Sequence, residues 1–241
     1  MKTYKSFAIV FAALFCAFTA SAQTADEIIN KYVQAIGGKD LISKVTSVYT
    51  EGSIDAMGTQ ITFKTTTLNG KGMKQEMDVM GSPMTTCFTD KGGWSINPMA
   101  GSTTPEDMPA GQYNSGKEQI VVGAPFVNFS EKGYKAELLG TEAVGDVNAY
   151  KIKMTSPDSI SATYYFDPNT SYLIKSISET EMQGQMIDNV ITYSDYKLAE
   201  GYTMPYKMEM VMAGGQFSMT MAVTKVELNK PVDEAIFTKP Q

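Results

Sequence analysis

The chain has 241 residues, a formal net charge of −6 and no histidine, and every basic residue is a lysine. The missing histidine excludes Ser-His-Asp and Cys-His catalysis and the common zinc sites. An acidic chain without arginine is a poor match for nucleic acid or for an anionic membrane surface, and no GxGxxG or phosphate-binding-loop pattern appears.

The first element is an export signal. Lys2 and Lys5 precede an apolar run from Phe7 to Phe18, and Ala20-Ser21-Ala22 supplies the small-x-small pattern of a cleavage site. That order predicts a secretory signal peptide over residues 1–22. The run is too short to span a bilayer core of roughly 30 Å as a helix. Cys16 follows Leu14 and Phe15, and a bulky Phe at that place argues against lipidation. The mature chain, from Gln23 onward, is expected to be one periplasmic domain. It keeps a single cysteine, Cys87, which cannot form an internal disulfide and reads as a small core residue in a strand-like run.

Thr24-Ala25-Asp26-Glu27 is a capping box, and Ile28, Ile29, Tyr32, Val33 and Ile36 recur at helical spacing until Gly37-Gly38 stops the helix. A short turn is expected over Leu41 to Val45. Strands follow at Val48 to Ile54 and Gln60 to Thr67. A Met57-Gly58 turn between them sets Gly52 against Phe63 and Ile54 against Ile61. Met73 to Met80, Met84 to Thr89 and Gly93 to Asn97 read as further strands. Pro98 to Pro109 reads as a loop, and Pro105 to Val122 as loop plus helix. Strands resume at Tyr134 to Glu142, Ala149 to Thr155, Ala162 to Phe166, Leu173 to Glu181, Met186 to Tyr196, Tyr202 to Met212 and Phe217 to Leu228. Pro231 to Phe237 is a tail with a helical turn. About ten strands joined by short turns, with two helical stretches, predict a mainly β fold: a large antiparallel sheet that curls and covers its concave face with helices.

The 17 methionines carry the site expectation. With Gly214-Gly215 as a hairpin turn, Met212 opposes Phe217, Met210 opposes Met219 and Met208 opposes Met221, all on one face. Three readings of that face stand open: core packing, a soft surface for acyl chains, and a copper(I) site built from thioethers. Tyr164 and Phe166 complete the candidate ligand surface. Trp94, beside a turn, is a packing anchor or a ligand contact. Paired carboxylates such as Glu179 and Glu181 read as the wet face of a strand, so no catalytic residue, metal or cofactor is expected.

The order of several short motifs is then informative. Ala35-Ile36-Gly37-Gly38 closes the helix, and Thr89-Asp90-Lys91-Gly92-Gly93-Trp94, Leu139 to Asp146 and Tyr165-Phe166-Asp167-Pro168-Asn169-Thr170 follow. Tyr193-Ser194-Asp195-Tyr196, Gly201 to Pro205, Leu228-Asn229-Lys230-Pro231 and Phe237-Thr238-Lys239-Pro240 close the series. In this order the chain resembles the outer-membrane lipoprotein-sorting proteins of the LolA/LolB-like superfamily, in the form common in Bacteroidetes envelopes. The resemblance implies an unclosed (half) β-barrel with a helical lid over a hydrophobic cavity. It also implies a soluble periplasmic carrier of lipoprotein acyl chains or related lipids, with inner- and outer-membrane envelope proteins as partners. A non-catalytic structural or scaffolding envelope protein is the alternative, with a carboxylate hydrolase behind it. The chain departs from the characterised carrier in having no arginine to tie its lid, and from the anchored receptor in lacking a lipidation site.

Overall fold

The structure, a computed structural model, describes residues 23–182 and 185–241. The signal peptide expected at 1–22 lies outside the described residues. No helix among the described residues is long and apolar enough to cross a membrane.

Helix α1 (Ala25–Ala35) begins at the expected capping box: the Thr24 side chain accepts from the Glu27 N–H, and the Glu27 carboxylate accepts from the Thr24 N–H. A one-turn helix, α2 (Lys39–Ile42), follows. The remainder is strand: β1 (Ser47–Ala56), β2 (Thr59–Leu68), β3 (Gly72–Val79), β4 (Ser82–Thr89), β5 (Gly93–Asn97) and β6 (Ser102–Asp107). Helix α3 (Ala110–Gly116) and a 3-10 turn (Lys117–Ile120) interrupt. Then come β7 (Lys135–Val144), β8 (Val147–Thr155), β9 (Ser161–Phe166), β10 (Leu173–Met182), β11 (Gln185–Ala199), β12 (Tyr202–Met212) and β13 (Phe217–Leu228). A final 3-10 turn, Glu234–Phe237, lies in the tail where one was expected.

All thirteen described strands join one antiparallel sheet, in the order β6-β5-β4-β3-β2-β1-β13-β12-β11-β10-β9-β8-β7. The sheet is open, with β6 and β7 as its edges. Every segment read as a strand is one. Twelve of the thirteen correspond to segments read as strands, against a rounded expectation of about ten, and the thirteenth, Ser102–Asp107, read as loop, is β6. An edge strand has a partner on one side only and need bury neither face, so Thr-Thr-Pro-Glu-Asp serves although it lacks an apolar alternation.

The chain therefore builds two meanders, β1–β6 and β7–β13, and β1 joins them by pairing with β13 from Val48 opposite Leu228 to Ala56 opposite Met219. The register shifts between Glu51 and Gly52, where β13 inserts an extra residue. Gly52 faces Phe63 on the other side, as its sequence position predicted. A Cβ at Gly52 would overlap the Ala222 carbonyl oxygen and lie 2.7 Å from the Phe63 ring.

The core divides between the two faces of the sheet. On the concave side, α1 sets Ile28, Ile29, Tyr32, Val33 and Ile36 against Ile152, Phe166, Leu173 and Leu228. On the convex side, the C-terminal turn packs Phe237 on Cys87 and Trp94, and the Trp94 indole donates to the Phe237 carbonyl at 2.8 Å. Trp94 is thus a packing anchor. Cys87 is fully buried, and burial pushes its thiol up to about 11, as suits an inert core residue. We expect Gly52→Ala to lower the unfolding free energy by about 2–3 kcal/mol in a urea titration, because backbone at the bulge, not a flexible side chain, has to give way.

Candidate ligand site on the concave face

Alternation along each strand sorts the side chains into two unlike faces. Carrying the register from strand to strand places Thr50, Thr65, Gln75, Thr86 and Ser95 abreast on the concave side of β1 to β5. The Gln75 amide donates to the Thr65 hydroxyl at 3.3 Å across this belt. Beyond it, Phe63, Met77 and Met84 form the next row, and Ile54, Ile61 and Val79 the one after. Lysines and carboxylates of the same strands point the other way, in pairs such as Lys74–Glu76, Lys207–Glu209 and Lys225–Glu227. Among the described residues, the inward strand positions hold no lysine or aspartate, and their one glutamate is Glu106 on the edge strand β6, opposite Ser95.

The methionine hairpin lies on this concave face with the expected register: Met208 opposite Met221, Met210 opposite Met219, Met212 opposite Phe217. Its turn is a 3-10 turn over Ala213–Gly215. Met208, Met219 and Met221 pack with Ile54, Phe63, Val223 and Met77 in a cluster separate from the one beneath α1. Cover thins toward the turn: Met210 and Met212 are half-buried, and Phe217 is 46% exposed. Asn189 stands opposite Met212, and its buried side-chain oxygen has no hydrogen-bond partner among the described residues. Register across β11 and β12 was needed to see that polar atom, and sequence reasoning missed it.

Tyr164 and Phe166 lie elsewhere. Phe166 is fully buried under α1, 5.4 Å from the Tyr32 ring and 5.6 Å from the Phe126 ring. Tyr164 meets Phe126 edge-on at 4.9 Å and lines a cavity of about 170 Å³ under the lid, with Met154, Ser178 and Glu118. These two rings belong to the floor that holds the lid, and the methionines belong to the open half of the face. Tyr193 and Tyr196 both turn to the same floor although three residues apart. Asp195 between them has a φ of +54°, which breaks the alternation. Tyr193 shares a hydrogen bond of 2.9 Å with Ser176, and Tyr196 donates to the Leu173 carbonyl at 2.7 Å. Burial pushes the phenols of Tyr32, Tyr164, Tyr193 and Tyr196 up, and that of Tyr202 to about 12, so the floor stays neutral at physiological pH.

The lid is the connection between the two sheet edges, residues 108–134. It lies across the concave side because β6 ends on one edge and β7 begins on the other. Phe126, Val127 and Phe129 anchor it in the core under α1, and Ile120 packs on Met73 and Phe88. Asn69 clasps it: the side-chain oxygen accepts from the Val122 N–H at 3.0 Å, and the amide donates to the Val45 carbonyl at 2.7 Å. On the far wall, Lys117 meets Asp158 at 2.6 Å in the β8–β9 turn, so a lysine makes the tie in a chain without arginine. Glu179 stands opposite Asp188, both exposed and on the convex side, away from the cavity.

No protein-family model matches the chain, and no curated protein matches it in sequence. Solved structures do. The chain is similar to the LolA superfamily protein of Nitrosomonas europaea, with 16% identity, a TM-score of 0.60, and 90% of this chain and 99% of that one covered. A DUF1329 family protein of Desulfovibrio piger gives 14% identity, a TM-score of 0.61, and coverage of 90% and 98%. The outer membrane lipoprotein-sorting protein domain of Vibrio parahaemolyticus gives 14%, 0.58, and coverage of 89% and 96%. At such identities the likeness is one of fold: the chain has a LolA-like fold, an open antiparallel half-barrel with helices on its concave side.

The lid carries a pH signature. Burial raises the Glu118 carboxyl, and Lys132 and Lys117 offset only part of the shift; burial likewise lowers Lys132. A carboxyl whose folded value lies above its unfolded one, about 4.3, contributes most stability when protonated. That contribution is lost as pH rises from the unfolded value through the folded one. Glu118→Gln is therefore expected to leave acid stability unchanged and to raise stability increasingly across that window, then level off. Urea titrations of both proteins from pH 4 to 8 would check it.

Proposed function

We propose that this chain is a periplasmic, non-catalytic binding or carrier protein for apolar ligands, lipoprotein acyl chains or related lipids, acting in lipoprotein sorting after removal of residues 1–22. The observation that carries the reading is the methionine half of the concave face, where the inward positions around the hairpin carry no charge and Met208, Met210, Met219 and Met221 are only partly covered. Unbranched thioether side chains adapt to chains of varied shape, and a surface without charge exacts no ion desolvation from a hydrocarbon ligand. The unpartnered oxygen of Asn189 offers an acceptor to a ligand hydroxyl or amide at the end of that surface. The fold shared with LolA-like proteins supports the reading.

One observation favours the scaffolding alternative. The cavity under the lid, about 170 Å³, falls short of the roughly 300–1,000 Å³ of small-molecule sites. On the carrier reading this is the closed form, and an acyl chain enters the methionine half as the lid segment yields.

Native mass spectrometry of the protein from its own cell envelope decides between them. The carrier reading expects a mature N-terminus at Gln23 and a bound lipid or acylated peptide of defined mass. An empty protein that also ignores added fatty-acyl probes supports the scaffold. Met210→Lys and Met221→Lys, which place an unpaired cation on the concave face, are each expected to weaken acyl-probe binding at least about tenfold. Val211→Lys, on the convex side of the same strand, is expected to leave binding unchanged.

A further inference from the structure

The strands run up and down in an open meander, so the turns fall into two sets at opposite ends of the sheet. The turns β2–β3, β4–β5, β7–β8, β9–β10 and β11–β12 at one end are built largely from Asn, Asp, Glu, Gly and Lys, although Leu198, 70% exposed, adjoins the β11–β12 turn. At the other end, each hairpin turn carries or adjoins an exposed large hydrophobe. Met57 is 77% exposed, Met80 88%, Met99 75%, Ile160 42%, Met186 61% and Phe217 46%. They belong to the turns β1–β2, β3–β4, β5–β6, β8–β9, β10–β11 and β12–β13 in that order. Within the six turns the one ionisable residue is Asp158, already paired with Lys117, and Asp55 and Asp78 adjoin two of them.

Backbone conformation is a second, independent observation. Met57-Gly58 and Met80-Gly81 both have positive φ at each residue: +52° and +87°, then +56° and +83°. Two-residue turns of this kind select Asn-Gly or Asp-Gly, and a long unbranched residue in the left-handed region is disfavoured. Asp55 and Asp78 cap these turns by accepting from the Gly58 and Gly81 N–H groups at 2.9 and 2.7 Å, so the turn geometry is secured without methionine. The chain places methionine where folding alone prefers asparagine, and it does so twice. Strain of this kind at an exposed position points to function.

We infer that this rim of turns docks on a lipid surface, inserting its methionine, isoleucine and phenylalanine side chains into the interface of a neutral, zwitterionic bilayer. The apolar side chains stand singly on separate turns and form no groove, which suits a fluid layer that accepts each one and not a peptide that needs a continuous track. The turns offer no free cation for anionic headgroups. The methionine half of the concave face opens at the same end, so a docked rim sets its mouth against the membrane. Docking itself does not require the acyl-binding reading to be right.

The experiment is co-sedimentation of the mature protein, residues 23–241, with phosphatidylcholine vesicles. The comparison is the triple variant Met57→Asn, Met80→Asn, Met99→Ser. Asparagine suits the left-handed turn positions, so the variant is expected to be at least as stable as wild type by urea titration and to keep its affinity for acyl probes. Its partition onto vesicles is expected to fall roughly a hundredfold, several-fold for each side chain. Wild-type partition should be insensitive to salt and to added anionic lipid. The inference is overturned if wild type stays in the supernatant, if the triple variant sediments as well as wild type, or if binding appears only with anionic lipid. It is equally overturned if sedimentation velocity shows wild type self-associating through the rim and the triple variant not, since the occupant is then a second copy of the chain.

Discussion

The pairing of β1 with β13 is the contact on which the architecture rests. Within the sheet, the first meander touches the second only there, and the two strands lie almost the whole chain apart. Antiparallel neighbours elsewhere are joined by short turns and form locally. This pair has no turn to set its register, so side chains and the Gly52 bulge must set it. The bulge increases local twist, the Phe63 ring fills the space a side chain would take, and both halves curve from that point toward one hollow. Asn229 reinforces the junction by accepting from the Thr46 N–H at 2.8 Å.

From that curvature follows the division of labour on the concave side. Helix α1 and residues 121–129 of the lid fill the half near the β13 terminus, where rings of Tyr32, Phe126, Tyr164 and Phe166 interlock at 4.9–5.6 Å. Edge-to-face contacts at these distances hold the lid by shape and need no charge. The other half keeps partly covered methionines and a belt of hydroxyl and amide groups. The two halves differ in cover because α1 and residues 121–129 both pack on the same floor.

Much of this was legible in the sequence. The hairpin around Gly214-Gly215 was readable because a short turn fixes register and alternation fixes the face, so Met208, Met210 and Met212 could be matched to Met221, Met219 and Phe217 residue by residue. The same logic gave Gly52 opposite Phe63. What stayed hidden requires several registers at once. The belt from Thr50 to Ser95 crosses five strands, and each of its members taken alone looks like an ordinary half-exposed threonine, serine or glutamine. Phe166 reads as inward-facing, but only the position of α1 decides that it is sealed beneath a helix. Strand β6 was missed because a strand that buries neither face leaves no hydrophobic period to find.

An open barrel keeps two edges, and unpaired backbone invites another chain to continue the sheet. Each edge is spoiled in its own way. β6 contains Pro105, which has no N–H to donate, next to Glu106 and Asp107, and its register against β5 slips between Ser95 and Asn97. β7 is broken by Gly140 at a φ of +108°, where pairing with β8 shifts past Leu138. A straight template longer than a few residues is absent from both. The hollow can thus stay open along its length without the sheet growing sideways into fibrils, at the cost of some regularity in the outermost strands.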